Sequence, residues 1–126
     1  MKPFPARHWS LDVCDITTVG RRSGRHHIVE IWFAIDESTL YVLAGLGERC
    51  DWLRNLDANP AVTVEVGGDR RHGRACRVTD PDERRRFGDL MNAKYPDYEG
   101  ETSIGLTRTT WLYEVPAVAI DDWRPA

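Results

Sequence analysis

The sequence predicts a mainly β, α+β fold. Six strands and two helices run in the order β-β-β-α-β-β-α-β, with an antiparallel sheet curled into a small barrel and the helices packed outside. Three observations carry this expectation. Runs rich in β-branched and aromatic residues are joined mostly by short polar or glycine-containing turns, the pattern of hairpins. Only two stretches change to helical spacing. No strand-helix-strand repeat occurs and no G-x-G-x-x-G follows a strand, which argues against a Rossmann dinucleotide site. At 126 residues the chain is expected to be one domain, 1–126, large enough to bury a core without disulfide staples.

Asp12 to Thr18 alternates loosely and ends at Gly20, a first strand. Ile28 to Ile35 is a continuous β-branched and aromatic run. Asp36-Glu37-Ser38 turns the chain, and Leu40 to Ala44 returns as the other arm of a hairpin. On the first arm Val29, Ile31, Phe33 and Ile35 share the core face, while Ile28, Glu30, Trp32 and Ala34 share the other. An acid and an indole on that second face suit either a cofactor or a partner subunit. Glu48 to Ala58 is the first helix, with Trp52, Leu53 and Leu56 at helical spacing and Asn59-Pro60 as its stop. Val62 to Val66, a Gly67-Gly68-Asp69 turn and Gly73 to Thr79 form a second hairpin. Asp80-Pro81-Asp82-Glu83 starts the second helix, with Asp as cap, Pro in the first turn and acids at the positive end of the dipole. That helix runs through Phe87, Leu90 and Met91 to about Lys94, with Arg84-Arg85-Arg86 as an exposed face. After a polar loop, Trp111 to Ile120 is expected as the last strand.

Composition narrows function. Hydrophobic residues are 41%, charged residues 29%, and the net charge is −3, which argues against a general nucleic-acid binder. No apolar run approaches the about 18 residues of a membrane span, and the N-terminal residues show no signal-peptide core, so a cytoplasmic protein is expected. Cys14, Cys50 and Cys76 are widely spaced and read as reduced thiols. The basic residues are 15 Arg against 2 Lys. Arginine suits forked contacts to phosphate and carboxylate, although a GC-rich genome gives the same bias.

Two segments draw attention chemically. Thr17 to His27 joins two strands through Gly20 and Gly24, with Arg21, Arg22 and Arg25 and the Ser23 hydroxyl between or beside them. Such a loop suits a phosphate or a string of carboxylates, and a solvated Gly-Arg turn is the plain alternative. Ala44 to Leu56 passes from a strand end through Gly45 and Gly47 into a helix N-terminus, a place for an anion or an oxygen acceptor. Asn55 is its notable polar residue, with exposure of Asn55 or capping by Asp51 as the alternatives. His26, His27 and His72 do not make a metal set, because adjacent strand histidines point to opposite faces, and no metal is expected. No Ser-His-Asp or paired-carboxylate pattern suggests a hydrolase.

The same segments resemble a known family. Thr17-Thr18-Val19-Gly20-Arg21-Arg22-Ser23-Gly24 resembles the T-T-x-G-R-[KR]-[ST]-G motif of the deazaflavin-dependent nitroreductases. Trp52 to Val64 resembles their W-x-x-N-L-x-A-N-P-x-V-x-V motif, and Tyr95-Pro96-Asp97-Tyr98 their Y-P-x-Y element. The resemblance implies a six-stranded antiparallel split β-barrel, like that of FMN-binding proteins, and a homodimer. It also implies coenzyme F420, a deazaflavin with a phosphate and polyglutamate tail, as hydride donor to quinones, nitroaromatics or activated alkenes. Arg21, Arg22 and Ser23 would hold the tail, while Ala44, Gly45 and the stretch holding Asp51, Trp52 and Asn55 would line the ring. Thr18, Gly24 and His27 complete the candidate cofactor contacts. Tyr98 would stand on the substrate side as the candidate catalytic residue. The chain has His26-His27 where the family has Pro-Arg, and Val29-Glu30-Ile31-Trp32-Phe33 where it has T-P-L-x-Y. An FMN-dependent oxidoreductase of the same fold and a non-catalytic flavin or deazaflavin carrier are the alternative readings.

Overall fold

A computed structural model describes residues 3–126. Its strands are β1 (Cys14–Val19), β2 (His26–Ile31), β3 (Ala34–Asp36), β4 (Thr39–Leu43), β5 (Ala61–Val66), β6 (Asp69–Arg77), β7 (Gly100–Glu101), β8 (Leu106–Thr107) and β9 (Ala117–Pro125). Its α-helices are α1 (Asp51–Ala58), α2 (Pro81–Lys94) and α3 (Arg108–Tyr113). Seven strands form one antiparallel sheet in the order β2-β1-β5-β6-β9-β4-β3, curled into a half-barrel, and β7 pairs only with β8.

The apolar pattern explains the layering. β4 is buried on both faces, as its unbroken Leu40-Tyr41-Val42-Leu43 run requires. Leu40 and Val42 point into a core with Phe4, Ile16, Phe33, Val64, Val66 and Ile120, which α1 closes with Trp52, Leu53 and Leu56. Tyr41 and Leu43 point the other way, into a second core where α2 and α3 lay Phe87, Met91, Trp111 and Leu112 against the sheet. The β5–β6 turn has φ of 58° at Gly67 and 87° at Gly68, the left-handed geometry that only glycine adopts freely. Asp80 caps α2, its carboxylate accepting the Glu83 N–H at 3.0 Å.

Three expectations need correction. The run from 28 to 35 is not one arm of a hairpin. It breaks at Trp32-Phe33, so that β2 pairs back to β1 and only β3 pairs with β4, which turns six strands into seven. The break is held from outside the sheet. The Phe33 N–H donates to Tyr95 Oη at 3.1 Å, and the Phe33 carbonyl accepts Lys94 Nζ at 2.8 Å. Second, Trp111 does not begin the last strand but lies in α3. The Thr107 hydroxyl accepts the Thr110 N–H at 3.1 Å at its start, and Arg84 donates to the carbonyls of Leu112 at 2.6 Å and Val115 at 3.0 Å at its end. A six-residue helix has little intrinsic stability, so burial of Trp111 and Leu112 sustains it. Third, Arg84 is therefore half-buried, unlike the exposed Arg85 and Arg86 beside it.

Gly88 lets α2 and α3 meet. A Cβ there would stand 2.5 Å from the Tyr113 ring and 2.7 Å from the Leu112 carbonyl oxygen. Helix propensity alone favours alanine by up to about 1 kcal/mol, yet the collision outweighs it. Gly88→Ala is expected to cost about 2 kcal/mol, read as a lower melting temperature, and an unchanged or higher value would show that the helices separate freely.

Candidate functional site

The β1–β2 loop is folded by its own backbone. Gly20 N–H donates to the Arg25 carbonyl at 2.7 Å, Gly24 N–H to the Gly20 carbonyl at 2.9 Å, and Arg25 N–H to Ser23 Oγ at 3.1 Å. Gly24 takes φ of 70°. At Gly20 a Cβ would lie 2.7 Å from His27 Nε2 and 2.9 Å from Ser23 Oγ, both exposed side chains that would have to turn away.

Asn55 fixes this loop to α1. Although 4% exposed, it uses both ends of its amide. Nδ2 donates to Thr18 Oγ1 at 3.2 Å, while Oδ1 accepts the Arg21 backbone N–H at 3.1 Å and Arg21 Nη1 at 2.9 Å. Arg21 Nη2 reaches Asp51 Oδ1 at 3.1 Å. Asp51 is the first residue of α1 rather than its cap. Cys50 holds the N-cap position with no side-chain hydrogen bond, and its thiol is pushed up by burial.

Between loop and helix lies a cavity of about 420 Å³. It brings together Arg21, Arg22, Ser23, His27, Asp51, Trp52 and Asn55 from the sequence expectation. Gly20 of the same candidate loop completes its wall together with Ile28 and Val29, which the sequence did not single out as site residues. Its one carboxylate, Asp51, is paired with Arg21, while Arg22 makes no hydrogen bond or ion pair among the described residues. The lining is therefore cationic. Thr18 lies beneath the cavity, fully buried against Asn55. Gly24 is exposed at the loop tip, and Ala44 is fully buried in the first core. Gly45 opens onto a different cleft of about 430 Å³ shared with Leu106.

Tyr98 stands in a second cavity, of about 240 Å³, next along β2. The first cavity takes His27, Ile28 and Val29 from that strand, and the second takes Glu30 and Ile31 with the following Trp32. The Tyr98 ring meets Trp32 at 5.2 Å and Trp111 at 4.6 Å, both edge to face, and Trp32 stacks on Tyr95 at 4.4 Å. Arg108 holds this turn, donating to the carbonyls of Tyr95 and Tyr98, each at 2.7 Å, and to Asn92 Oδ1 at 2.6 Å. Burial, then the Glu101 charge, pushes the Tyr98 phenol up, so it keeps its proton at neutral pH. The Arg108 clamp carries no sequence signal, because its partners are mainly carbonyls.

Another arginine braces α1 from behind. Arg77 forks onto Glu48 at 2.7 and 2.8 Å, and onto Asp57 at 2.7 and 3.0 Å. Both carboxyls are held below their ordinary range, chiefly by hydrogen bonds from that guanidinium. Among the described residues no three His, Cys, Asp or Glu side chains gather as a metal site, and no helix is long and apolar enough to cross a membrane.

Known proteins share this plan. A family model for F420H(2)-dependent quinone reductases matches residues 6–110. Rv3178 of Mycobacterium tuberculosis (strain ATCC 25618 / H37Rv), which carries the provisional name F420H(2)-dependent quinone reductase, is 33% identical over 82 residues, covering 63% of this chain and 68% of its own. The solved structure of an F420-H2 dependent reductase, FDR-A, superposes with a TM-score of 0.68 at 20% identity, over 88% of this chain and 95% of that one. Another structure, described as a domain-swapped dimer, gives a TM-score of 0.69 at 22% identity, over 88% and 81%. The chain belongs to the F420H(2)-dependent quinone reductase family, split-barrel oxidoreductases whose cofactor is coenzyme F420.

Proposed function

We propose that the cavity between the β1–β2 loop and α1 holds the phosphate and carboxylate tail of F420, and that the reduced cofactor reduces a quinone seated beside Tyr98. Nitroaromatics and activated alkenes, which share the quinone's electron-poor π system, are secondary acceptors. The single observation that carries the reading is the cationic lining, with Arg22 unpaired among the described residues, Ser23 and His27 beside it, and the one carboxylate paired with Arg21. Guanidinium, imidazole and hydroxyl groups are the donor set that a polyanion requires.

The roles follow from position. Arg22, Ser23 and His27 bind the tail. Arg21 and Asn55 hold the loop in place rather than spending all their donors on the ligand. Trp52, 7% exposed, gives the cavity a flat apolar wall. When bound in its reduced form, F420 supplies the hydride. Tyr98 Oη, protonated at neutral pH, is the proton donor on the acceptor side. A homodimer belongs to the same proposal. It is supported by β2, a sheet edge that leaves Ile28 70% exposed, and by the similar structure described as a domain-swapped dimer. Sedimentation velocity gives the mass that decides it.

The test is a titration with F420 followed by tryptophan fluorescence, with FMN alongside. Saturable quenching by F420 is expected. Arg22→Ala should weaken binding by about tenfold and flatten its salt dependence, with an unchanged melting temperature because Arg22 braces nothing. Equal affinity in Arg22→Ala, or a preference for FMN, overturns the assignment.

A further inference from the structure

We infer that the cavity beside Tyr98 selects its electron acceptor by charge, and that Glu30 is the residue that selects it, favouring neutral and cationic aromatic acceptors over anionic ones. The inference rests on the neighbouring cavity being the F420 site.

The two cavities share one strand yet differ in sign. The first has Arg21, Arg22 and His27. The second has Glu30, with Trp32, Tyr98 and Trp111 as its aromatic wall and Met91 behind. Glu30 makes no ion pair or hydrogen bond among the described residues. Its cross-strand neighbours carry the same sign, and the nearby cations Lys94 and Arg108 are engaged with the carbonyls of Phe33 and of Tyr95 and Tyr98. Asp15 on β1 stands directly opposite Glu30, and Glu65 on β5 stands opposite Asp15, so three carboxylates occupy one row across the sheet. Among the described residues only the far one is ion-paired, with Arg70 at 3.7 Å from Glu65. Like charges facing each other across strands destabilise a sheet.

The wall adds a second preference. Indole and phenol faces carry negative charge density, so they attract cations and electron-poor rings. At about 240 Å³ the cavity is smaller than a drug-sized pocket, with room for a ring and its substituents. An anionic substituent on that ring would face the exposed Glu30 carboxylate at the rim of the cavity. A like charge about 5 Å away in an intermediate dielectric changes affinity by about tenfold. The arrangement also separates the two ligands, since the polyanionic tail is drawn to the arginine end of β2 and repelled from the glutamate end.

The test uses three nitroaromatics of similar size, 4-nitrobenzoate, 4-nitrotoluene and 4-nitrobenzylammonium, bound to the cofactor-free protein in equilibrium dialysis at low salt and neutral pH. The expected order is cation, then neutral, then anion, with about tenfold between neighbours and so about a hundredfold between the extremes. Glu30→Gln should collapse that span and Glu30→Lys should reverse it. Trp32→Leu should weaken all three together and keep their order, which places them in this cavity. Glu30 is exposed in the single chain, so both variants are expected to fold, and sedimentation velocity on each checks that the β2 edge proposed as the dimer seam still pairs. No binding of any of the three, or the same order in Glu30→Lys as in the parent, overturns the inference. F420 is titrated into the same proteins. Failure to bind F420 with the charge order intact strikes the cofactor site alone, and normal F420 binding with no charge order strikes this inference alone.

Discussion

Asn55→Ala is expected to lower stability by about 3 kcal/mol and to weaken F420 binding by more than tenfold. Asn55 is 4% exposed and occupied at both ends. Deleting its amide leaves the fully buried Thr18 hydroxyl, the Arg21 backbone N–H and one Arg21 guanidinium hydrogen without their acceptor or donor. A buried unsatisfied polar group costs about 1–3 kcal/mol, and hydrogen bonds to charged groups sit at the upper end. The binding loss is indirect. Without Asn55, Arg21 retains only Asp51, which is 85% exposed at its side chain, so the β1–β2 loop loses its fixed seat against α1. The loop then pays an ordering cost on binding. For a chain of this size the stability loss corresponds to about 10 °C in melting temperature. Asn55→Asp separates the two effects. It keeps the acceptor for Arg21 and loses only the donor to Thr18, so it should recover most of the affinity. If Asn55→Ala binds F420 as the parent does, the loop is rigid on its own and Asn55 serves only the fold.

This clamp shows what the sequence discloses and what it hides. Turns and caps are local, so Gly67-Gly68 and Asp80-Pro81 appear in the structure where the spacing places them. The motif from Thr17 to Gly24 marked a loop, and Trp52 to Pro60 marked a helix and its stop, but neither says that Arg21 spends its guanidinium on Asp51 and Asn55. Those contacts span 30 and 34 residues of chain. The strand break at Trp32-Phe33 is hidden for the same reason. Propensity alone continues the strand through Ile35, and the groups that interrupt it, Lys94 and Tyr95, arrive from the far end of α2. Trp111 misleads in the same way, because a β-favouring aromatic joins a helix through Thr107 and Arg84. Glu30 and Trp32 were legible as an odd pair on one face. The structure adds Asp15 in register and the Tyr98 and Trp111 rings around them.

The strand break itself yields the second large effect. Tyr95→Phe is expected to cost about 3 kcal/mol, because Tyr95 Oη both accepts the buried Phe33 N–H at 3.1 Å and donates to the Asp12 carbonyl at 2.7 Å. Its ring still stacks on Trp32, so the loss isolates the hydroxyl. Beside it, Lys94 donates to the Phe33 carbonyl and lies 3.5 Å from the centre of the Phe33 ring. Burial pulls its ammonium down from 10.5 to about 8. The sign of the pH dependence follows. Between about pH 8 and 10.5 the unfolded chain holds the Lys94 proton more tightly than the folded one, so stability rises with pH across that window. Cys14, pushed by burial from 9.0 to about 12, and Tyr95, likewise from 10.0 to about 12, act oppositely above pH 9 and 10, where the unfolded groups ionise first. The denaturant midpoint should therefore climb from pH 7.5 to about 9 and fall beyond 10. Lys94→Met should abolish the climb and leave the fall. A flat profile in the parent, or an unchanged climb in Lys94→Met, would show that Lys94 is solvated and that Tyr95 alone holds the β2–β3 break.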